Sequence, residues 1–374
     1  MFQRIFLACA GLGLTIMAGC GGQGPSLEGD AADSADANLP GSDGSSFDGG
    51  PDALVNDGGR DASGRDSGRD AVADGASGDS GGDGAAWDSG DGALSDAGQD
   101  AGDGGDGAPV PPGAPGDWIL VDAGTFTMGS LAEEVGRRDD ETPHLVTLTH
   151  DYWMMASEIT QVDFEAAMDY NPSSFPWGGD FPVENANWHE FAAYANKLSE
   201  LEDVDQCYDC SGSIADRDCA LRVDLSSPYS CSGYRLPTEA EWEVAARAGT
   251  TTATYAGDLD RTDCGWSEIL NPIAWYCHNS DESTQAVAQK EPNPWGFFDL
   301  LGNVAEWCHD RFGDYPSVPV SDPVGPASVS HPDRLVRGGD WDSSPSNVRA
   351  ARRRQFDPRF RSANFGARLV VIAR

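Results

Sequence analysis

The sequence predicts one α+β domain with an irregular, loop-rich topology over residues 117–374, preceded by a signal peptide and a disordered acidic tether. Strand-like segments and capped helix-like segments both occur in this part of the chain, which is rich in tryptophan, glycine and proline. Its roughly 260 residues are enough to form one large core. No internal repeat or second linker interrupts the sequence, so we expect a single domain.

The first residues have the pattern of an export signal. Arg4 precedes the apolar run Ile5–Ala18, and the segment ends Met17-Ala18-Gly19-Cys20. This predicts cleavage after residue 19 and lipidation of Cys20, although Met17 stands where leucine is usual. An ordinary cleaved signal or an uncleaved anchor is the alternative, but the run is short for a spanning helix. We expect an exported chain, lipid-anchored to the outer or cell membrane on its periplasmic or extracellular face.

Residues 21–116 form a low-complexity acidic segment. They consist mainly of glycine, alanine, serine and aspartate and supply nearly half of the net charge of −38. With almost no aromatic or branched apolar residue, the segment cannot bury enough surface to offset the entropy lost on ordering. No spacing matches an EF-hand loop or a nonapeptide calcium repeat. We therefore predict a solvated, self-repelling tether.

Three strands are predicted at the start of the domain. Trp118–Val121 is rich in strand-forming residues, and Gly124–Gly129 continues as a second strand after a turn. A charged loop, Arg137–Thr142, follows. Apolar and polar residues then alternate over His144–Thr149, which predicts a half-buried strand.

Two helices follow these strands. Gln161–Met168 is predicted to be helical with Thr160 as its N-cap. Trp188–Leu198 carries one apolar stripe at helical spacing. His189 lies on the opposite face of that helix, so we predict a solvated surface histidine.

The cysteines indicate disulfides. Four of them fall in one insertion (Cys207, Cys210, Cys219 and Cys231). A CxxC pair among four cysteines would suggest zinc in a cytosolic protein, but export places this chain in an oxidising compartment. Three connectivities are open for these four. Cys264 and Cys277 are expected to pair across a short loop, which leaves Cys308 free or buried.

The stretch Cys231–Gly249 predicts a short capped helix. Pro237 excludes a helix through Leu236, Thr238 and Glu241 form a capping box, and Gly249 ends the helical pattern. Charged groups in this stretch (Arg235, Glu239 and Glu241) are expected to pair inside the domain.

This stretch, RLPTEAEWE with AARAG after it, resembles the signature of the formylglycine-generating enzyme (sulfatase-modifying factor) family. Further motifs resemble the family in the expected order: GTFTMG from Gly124, Glu158-Ile159-Thr160, Phe181–Val183 with the Trp188 helix, PNPWGFFDLLGNVAEW from Pro292, and RLVRGGDW from Arg334 with FGAR from Phe365. Ala367 departs from the family's phenylalanine. The resemblance implies an irregular α+β fold related to C-type lectin-like domains.

The resemblance also implies a calcium site in the Pro292–His309 segment. The family's liganding positions correspond to the side chains of Asp299 and Glu306 and to the carbonyls of Gly302 and Val304, and oxygen ligands of this kind suit calcium. The alternative is that Glu306 caps or pairs inside the core. A first family calcium site would fall near Asn279–Glu282, with Asn279 as its candidate ligand, but the match there is poor.

Copper is not expected. Enzymes of the family hold copper(I) with two cysteine thiolates. These cysteines lie about four and nine residues after the second glycine of a double glycine, which is Gly338-Gly339 in this chain. Ser343 occupies the first of these positions and Val348 the second in an ungapped count, and no cysteine follows Cys308. A serine hydroxyl is a hard ligand, so the family's catalytic residues do not carry over to this chain.

Two functions remain. The first is a non-catalytic, calcium-stabilised binding or structural module on a lipid tether, with an unknown protein or glycan ligand. The second is a sulfatase-modifying-factor-type oxidoreductase that uses a non-standard site. The six histidines form no metal-binding pattern and no GxSxG motif occurs. The arginines between Arg349 and Arg361 could suggest a nucleic-acid patch, but on a strongly acidic exported chain they are expected to pair with carboxylates.

Overall fold

The computed structural model describes residues 116–326 and 332–374. All of them fall within one unit of the chain. The predicted export signal, the predicted lipidation site Cys20 and the predicted tether up to residue 115 lie outside the described residues. Within the described ranges, no helix is long and apolar enough to cross a membrane.

Short strands outnumber helices in this part of the chain. The three α-helices are α1 (Gln161–Met168), α2 (Trp188–Leu201) and α3 (Glu239–Arg247). The strands are β1 (Trp118–Val121), β2 (Gly124–Met128), β3 (His144–Leu148), β4 (Tyr152–Met155), β5 (Tyr208–Ser211), β6 (Asp218–Leu221), β7 (Ala305–Arg311), β8 (Val320–Ser321), β9 (Arg334–Arg337), β10 (Arg353–Phe356), β11 (Phe365–Gly366) and β12 (Val370–Ile372).

The strands form four small sheets with long crossovers. Their orders are β10-β9-β7-β11, β1-β4-β12, β2-β3-β8 and the hairpin β5-β6. The first sheet is antiparallel except for β11, which runs parallel to β7. Because strands far apart in sequence pair within each of the three larger sheets, the topology is irregular. The predicted α+β class is confirmed.

The predicted N-terminal strands are confirmed as β1, β2 and β3. β2 and β3 pair antiparallel with Phe126 opposite Val146. α1 begins after Thr160 as predicted, with the Thr160 hydroxyl accepting from the Asp163 backbone N–H. β7 was not foreseen as a strand, because its residues are nearly all buried on both faces and show no alternation.

The prediction that His189 is a solvated surface residue is wrong. Its relative exposure is 5%, and its Nδ1 accepts a hydrogen bond from the backbone N–H of Cys219 at 3.0 Å. The cause is the insertion: its hairpin, β5 with β6, lies against the polar face of α2. The sequence pattern identified the core face of α2 correctly. It could not show that the β5–β6 hairpin covers the other face, because that contact depends on tertiary structure.

Disulfides, rather than zinc, are confirmed for the insertion. Cys207 bonds to Cys231, and Cys210 bonds to Cys219 directly opposite it in the β5–β6 hairpin. The predicted Cys264–Cys277 bond is present. Cys308 is a free, buried thiol. Three disulfides are consistent with an exported domain.

α3 begins and pairs as predicted. Thr238 and Glu241 form the capping box, and Arg235 donates to both Glu241 carboxylate oxygens at 2.7 Å. Glu239 accepts from Arg337 and Arg353, each at 2.6 Å. The helix ends at Arg247 with Ala248 as its C-cap, so Gly249, with a φ of +85°, stands at the C′ position as predicted.

The arginines of the last signature also pair with acids. Arg349 bonds Glu141 at 2.7 Å, Arg359 bonds Asp218 at 2.9 Å, and Arg361 lies 2.6 Å from Glu190. The alternative of a nucleic-acid patch therefore receives no support from this cluster.

Candidate functional site

The turn that follows the double glycine meets the turn of the Pro292–His309 segment. The Gly302 N–H donates to the Gly338 carbonyl at 3.1 Å, and the Trp341 N–H donates to the Asn303 carbonyl at 2.8 Å. Gly338 has a φ of +94°, and a Cβ there would lie 2.7 Å from the Leu300 carbonyl oxygen. Glycine is therefore required for the close approach of these two turns.

Ser343, at the position of the family's first cysteine, has a structural hydrogen-bonding role. Its hydroxyl donates to Asp340 Oδ1 at 2.9 Å and accepts from the Asp340 N–H at 3.1 Å. The relative exposure of Ser343 is 6%, and its carbonyl accepts from the Cys277 N–H. The hydroxyl thus links Ser343 to Asp340 within the same turn and stabilises the conformation of that turn.

These residues do not fit copper(I). The ion prefers soft thiolates, whereas the turn offers a hydroxyl and a carboxylate. Cys308 is the one free thiol in the described part of the chain, and it is fully buried on β7. Burial raises the pKa of this thiol well above its usual value, which disfavours the reactive thiolate.

An open groove of about 480 Å³ lies beside this turn. We call it the turn groove. Apart from three phenylalanines, every side chain that lines it is polar. The lining residues are Asp340, Asp342, Ser343, Ser344, Asn347, Arg354, Phe356, Phe360, Ser362, Asn364 and Phe365.

One wall of the turn groove is built by an ion pair next to aromatic rings. Arg354 Nη2 donates to Asp340 Oδ2 at 2.6 Å. The Arg354 guanidinium carbon lies 5.5 Å from the centre of the Phe365 ring. Because Asp340 is also held by Ser343, the turn, β10 and β11 fix each other's side chains. The groove is preformed rather than assembled on binding.

Asp299, the predicted calcium ligand, has an unsatisfied oxygen. Its Oδ2 accepts from the Ala288 N–H at 2.7 Å, whereas its buried Oδ1 has no hydrogen-bond partner. Burial raises the pKa of Asp299 to about 6. Burial, together with Asp299 and Glu306, also raises the pKa of Glu158 well above its usual value. A buried carboxylate oxygen without a donor is the kind of group that a cation would satisfy.

Glu306 is held by an arginine. Arg368 donates to both of its oxygens at 2.8–2.9 Å, and Trp242 Nε1 donates to Oε2 at 2.9 Å. Pairing inside the core, the alternative given for Glu306, is therefore present. Three buried carboxyl groups (Glu158, Asp299 and Glu306) lie close together here, and Arg368 and Lys290 are nearby cations.

The side chain of Asn279 makes no hydrogen bond to Asp299. Its amide donates to Asn271 Oδ1 and the Ala274 carbonyl, and its oxygen accepts from the Tyr276 N–H. Across the described residues, no three Cys, His, Asp or Glu side chains converge as a metal site. A calcium ion here would thus depend on Asp299 and backbone carbonyls, and the calcium ligands remain a prediction.

A larger cavity of about 590 Å³ lies between β1, β2 and the end of α3. Its lining includes apolar side chains such as Trp295, together with Asp122 and several threonines. Arg247, the last residue of α3, also lines it and is already bonded to Glu243 and to the Gly129 carbonyl. We take the turn groove as the candidate site because it contains Ser343, the residue at the position of the family's first cysteine.

The sequence located part of this site. Ser343 was found by counting from the double glycine, and Asp299 was found from its motif. Sequence reasoning missed Arg354, Phe356 and Phe360 as groove residues. The signal in the sequence was the pair of phenylalanines, Phe356 and Phe360, that follows the arginine cluster.

Comparison with known proteins identifies the family of the domain. A family profile described as "Sulfatase-modifying factor enzyme 1-like domain" matches residues 108–373. Chaperone protein LppX of Paenibacillus barcinonensis is 28% identical over 269 residues, which cover 68% of this chain and 89% of that protein. The formylglycine-generating enzyme of Streptomyces coelicolor is 36% identical over 164 residues, which cover 39% of this chain and 49% of the enzyme.

A solved structure supports the fold. Treponema denticola variable protein 1 superimposes with a TM-score of 0.58 at 30% identity, covering 68% of this chain and 94% of that one. The profile match spans nearly the whole described region. The chain therefore belongs to the sulfatase-modifying factor enzyme 1-like family.

Proposed function

We propose that the domain is a non-catalytic binding module with the turn groove as its ligand site. The observation that carries this proposal is Ser343, a hydroxyl bonded to Asp340 at the position where the family's copper chemistry needs a thiolate. In the same proposal, calcium stabilises the Asp299 loop, and lipidation of Cys20 holds the chain at a membrane.

The relatives support both candidate functions. A chaperone protein is similar to this chain over most of its own length, whereas the Streptomyces enzyme is matched over about half of its length. The alternative is a sulfatase-modifying-factor-type oxidoreductase with a non-standard site. The single free thiol of the described residues is buried and has a raised pKa, so the non-catalytic function is favoured.

The activity test uses the purified full chain with copper(I), oxygen and a Cys-x-Pro-x-Arg peptide. We expect no conversion of the peptide cysteine by mass spectrometry, because the groove lacks a thiolate pair. The formylglycine-generating enzyme of Streptomyces coelicolor, assayed in parallel, is the positive control. Conversion by this chain would overturn the non-catalytic proposal.

The calcium test uses thermal unfolding with and without a chelator. We expect calcium to raise the melting temperature of the chain by a few degrees and Asp299→Asn to remove that increase, because the unsatisfied Asp299 Oδ1 is the proposed ligand atom. Asp299→Asn is a sharper variant than Glu306→Ala, which would also strip Arg368 of its partner.

Asp203→Asn is the matched control for this test. Asp203 is exposed and has a φ of +55°, which asparagine adopts readily. Its variant should retain the calcium response. A melting temperature of the unaltered chain that is indifferent to the chelator would exclude the calcium site.

A further inference from the structure

The turn groove has an exposed aromatic face that is fixed in place. Phe360 is 45% exposed, and its ring centre lies 5.3 Å from that of Phe356 and 5.9 Å from that of Phe365. These neighbours hold the ring, so little side-chain entropy is lost when a ligand covers it. The face of an aromatic ring carries negative charge and attracts weakly polarised C–H groups.

Free hydrogen-bond donors lie in the same lining. Arg354 uses Nη2 for Asp340, and its Nε and Nη1 donate to no group among the described residues. Asn364 Oδ1 accepts from Ser362 at 3.2 Å, whereas its Nδ2 has no partner in the described chain. Both donors are held by the bonds that their other atoms make, and both remain open to a ligand.

A free acceptor completes the set. Asp342 is exposed, and its carboxylate has no partner within the described ranges, although its backbone N–H is fixed by Asp340 at 3.1 Å. Asp340 and Asp342 together outweigh Arg354 by one negative charge. A negatively charged ligand is therefore disfavoured in this groove.

Deepening the proposed binding function, on which this inference rests, we propose that the turn groove binds a neutral sugar of a glycan. A hydroxyl both donates and accepts hydrogen bonds, so vicinal hydroxyls match the free Asp342 carboxylate and the free Arg354 and Asn364 donors. The C–H face of a pyranose ring matches Phe360. The free polar groups and the Phe360 ring line one groove of about 480 Å³, a volume in the range of small-molecule sites.

A peptide ligand is less well matched to this lining. Peptide recognition uses a free strand edge with side-chain pockets, a hydrophobic groove or a cluster of arginines. The turn groove has one exposed ring surrounded by hydroxyl, amide, carboxylate and guanidinium groups. Its apolar surface is a single platform rather than a pocket.

The test is binding of the full chain to an array of neutral oligosaccharides: linear β-glucans, α-mannans, β-galactans and chitin oligomers. Uronic-acid and sulfated oligosaccharides and a random peptide library are included as separate arms. We expect selective binding to a neutral glycan, with the affinity measured by calorimetry. Phe360→Ala should weaken that affinity at least tenfold, and Asp342→Asn several-fold.

Trp266→Ala is the matched control. Trp266 is 56% exposed and does not line the turn groove, so its variant should bind the glycan with unchanged affinity. Asp342→Asn is expected to keep the melting temperature of the unaltered chain, because Asp342 is exposed. Phe360→Ala loses ring contacts with Phe356 and Phe365 and is expected to melt somewhat earlier while still folding. Binding is therefore measured well below the melting temperature of each variant, which separates lost binding from lost folding.

The arms distinguish this inference from the proposed function. Absence of neutral-glycan binding, or binding to acidic oligosaccharides alone, overturns the glycan inference. If the peptide arm binds in a Phe360-dependent way instead, the proposed binding function stands and the glycan inference fails. If a glycan binds equally well to the Phe360→Ala variant, the inference is also overturned, because the sugar then does not stack on the Phe360 ring.

Discussion

Replacing Glu243 with glutamine is expected to lower the free energy of unfolding by about 3–5 kcal/mol. Glu243 is fully buried and accepts from three groups: the Gly129 N–H at 2.7 Å, Arg247 Nε at 2.9 Å and Arg337 Nη2 at 2.5 Å. Glutamine would turn an NH₂ group toward one of these donors and would remove the negative charge that balances two buried arginines. Urea unfolding with the disulfides intact measures the loss.

The pKa of Glu243 supports this expectation. Burial alone would raise its pKa, but Arg247 and Arg337 together lower it below the ordinary value. The carboxylate is therefore ionised in the native state, and its partners depend on that charge. A loss of unfolding free energy smaller than about 1 kcal/mol would show that a neutral amide can replace the Glu243 carboxylate.

A surface pair provides the control for Glu243. Asp263 bonds Arg261 at 2.8 Å but is exposed, and solvent screens such pairs. Asp263→Asn should leave the unfolding midpoint almost unchanged. The comparison then isolates burial, since both substitutions convert a paired carboxylate to an amide.

The buried network connects α3 to the turn groove. Arg337, on β9, bonds both Glu239 and Glu243 of α3. Arg353, on β10, bonds Glu239, and its neighbour Arg354 lines the groove. Helix α3, which carries the most recognisable sequence signature, therefore fixes the strand that contributes Arg354 to the lining of the turn groove. Its contribution to the site is structural.

The sequence predicted the elements that depend on local chemistry. The capping box of Thr238 with Glu241 and the N-cap Thr160 involve residues within one helical turn, so they are visible in a short window. The Cys264–Cys277 bond closes a short loop and was also foreseen. The pairing of Cys207 with Cys231 was left open, because four nearby cysteines allow three arrangements.

Features set by tertiary contact could not be predicted. His189 is polar and lies on the polar side of an amphipathic helix, and only the packing of the β5–β6 hairpin buries it. Phe360 and Asp342 lie 18 residues apart, and the turn and strands between them bring both into one groove. Counting from the double glycine found Ser343, but it could not show what surrounds that residue.

Stability is expected to fall between pH 5 and pH 7.5 because of Asp310. Burial, with Glu239 next, raises the pKa of Asp310 to about 8, whereas an unfolded aspartate titrates near about 3.9. In this range the native state keeps a proton that the unfolded state has lost. The free energy of unfolding therefore decreases as the pH rises, by up to about 1.4 kcal/mol per pH unit for this group.

Asp310→Asn isolates the contribution of this carboxyl group from those of the other titratable groups in the chain. Asparagine resembles the protonated acid and can still accept from the Glu239 N–H, which Asp310 Oδ2 accepts at 2.9 Å. The stability of the variant relative to the unaltered chain should rise by about 3 kcal/mol from pH 5 to pH 7.5. Urea midpoints measured for both proteins at several pH values give this difference directly. If the two profiles stay parallel, Asp310 is already ionised in the native state, and the charge beside the start of α3 is balanced by Arg334 rather than by a proton.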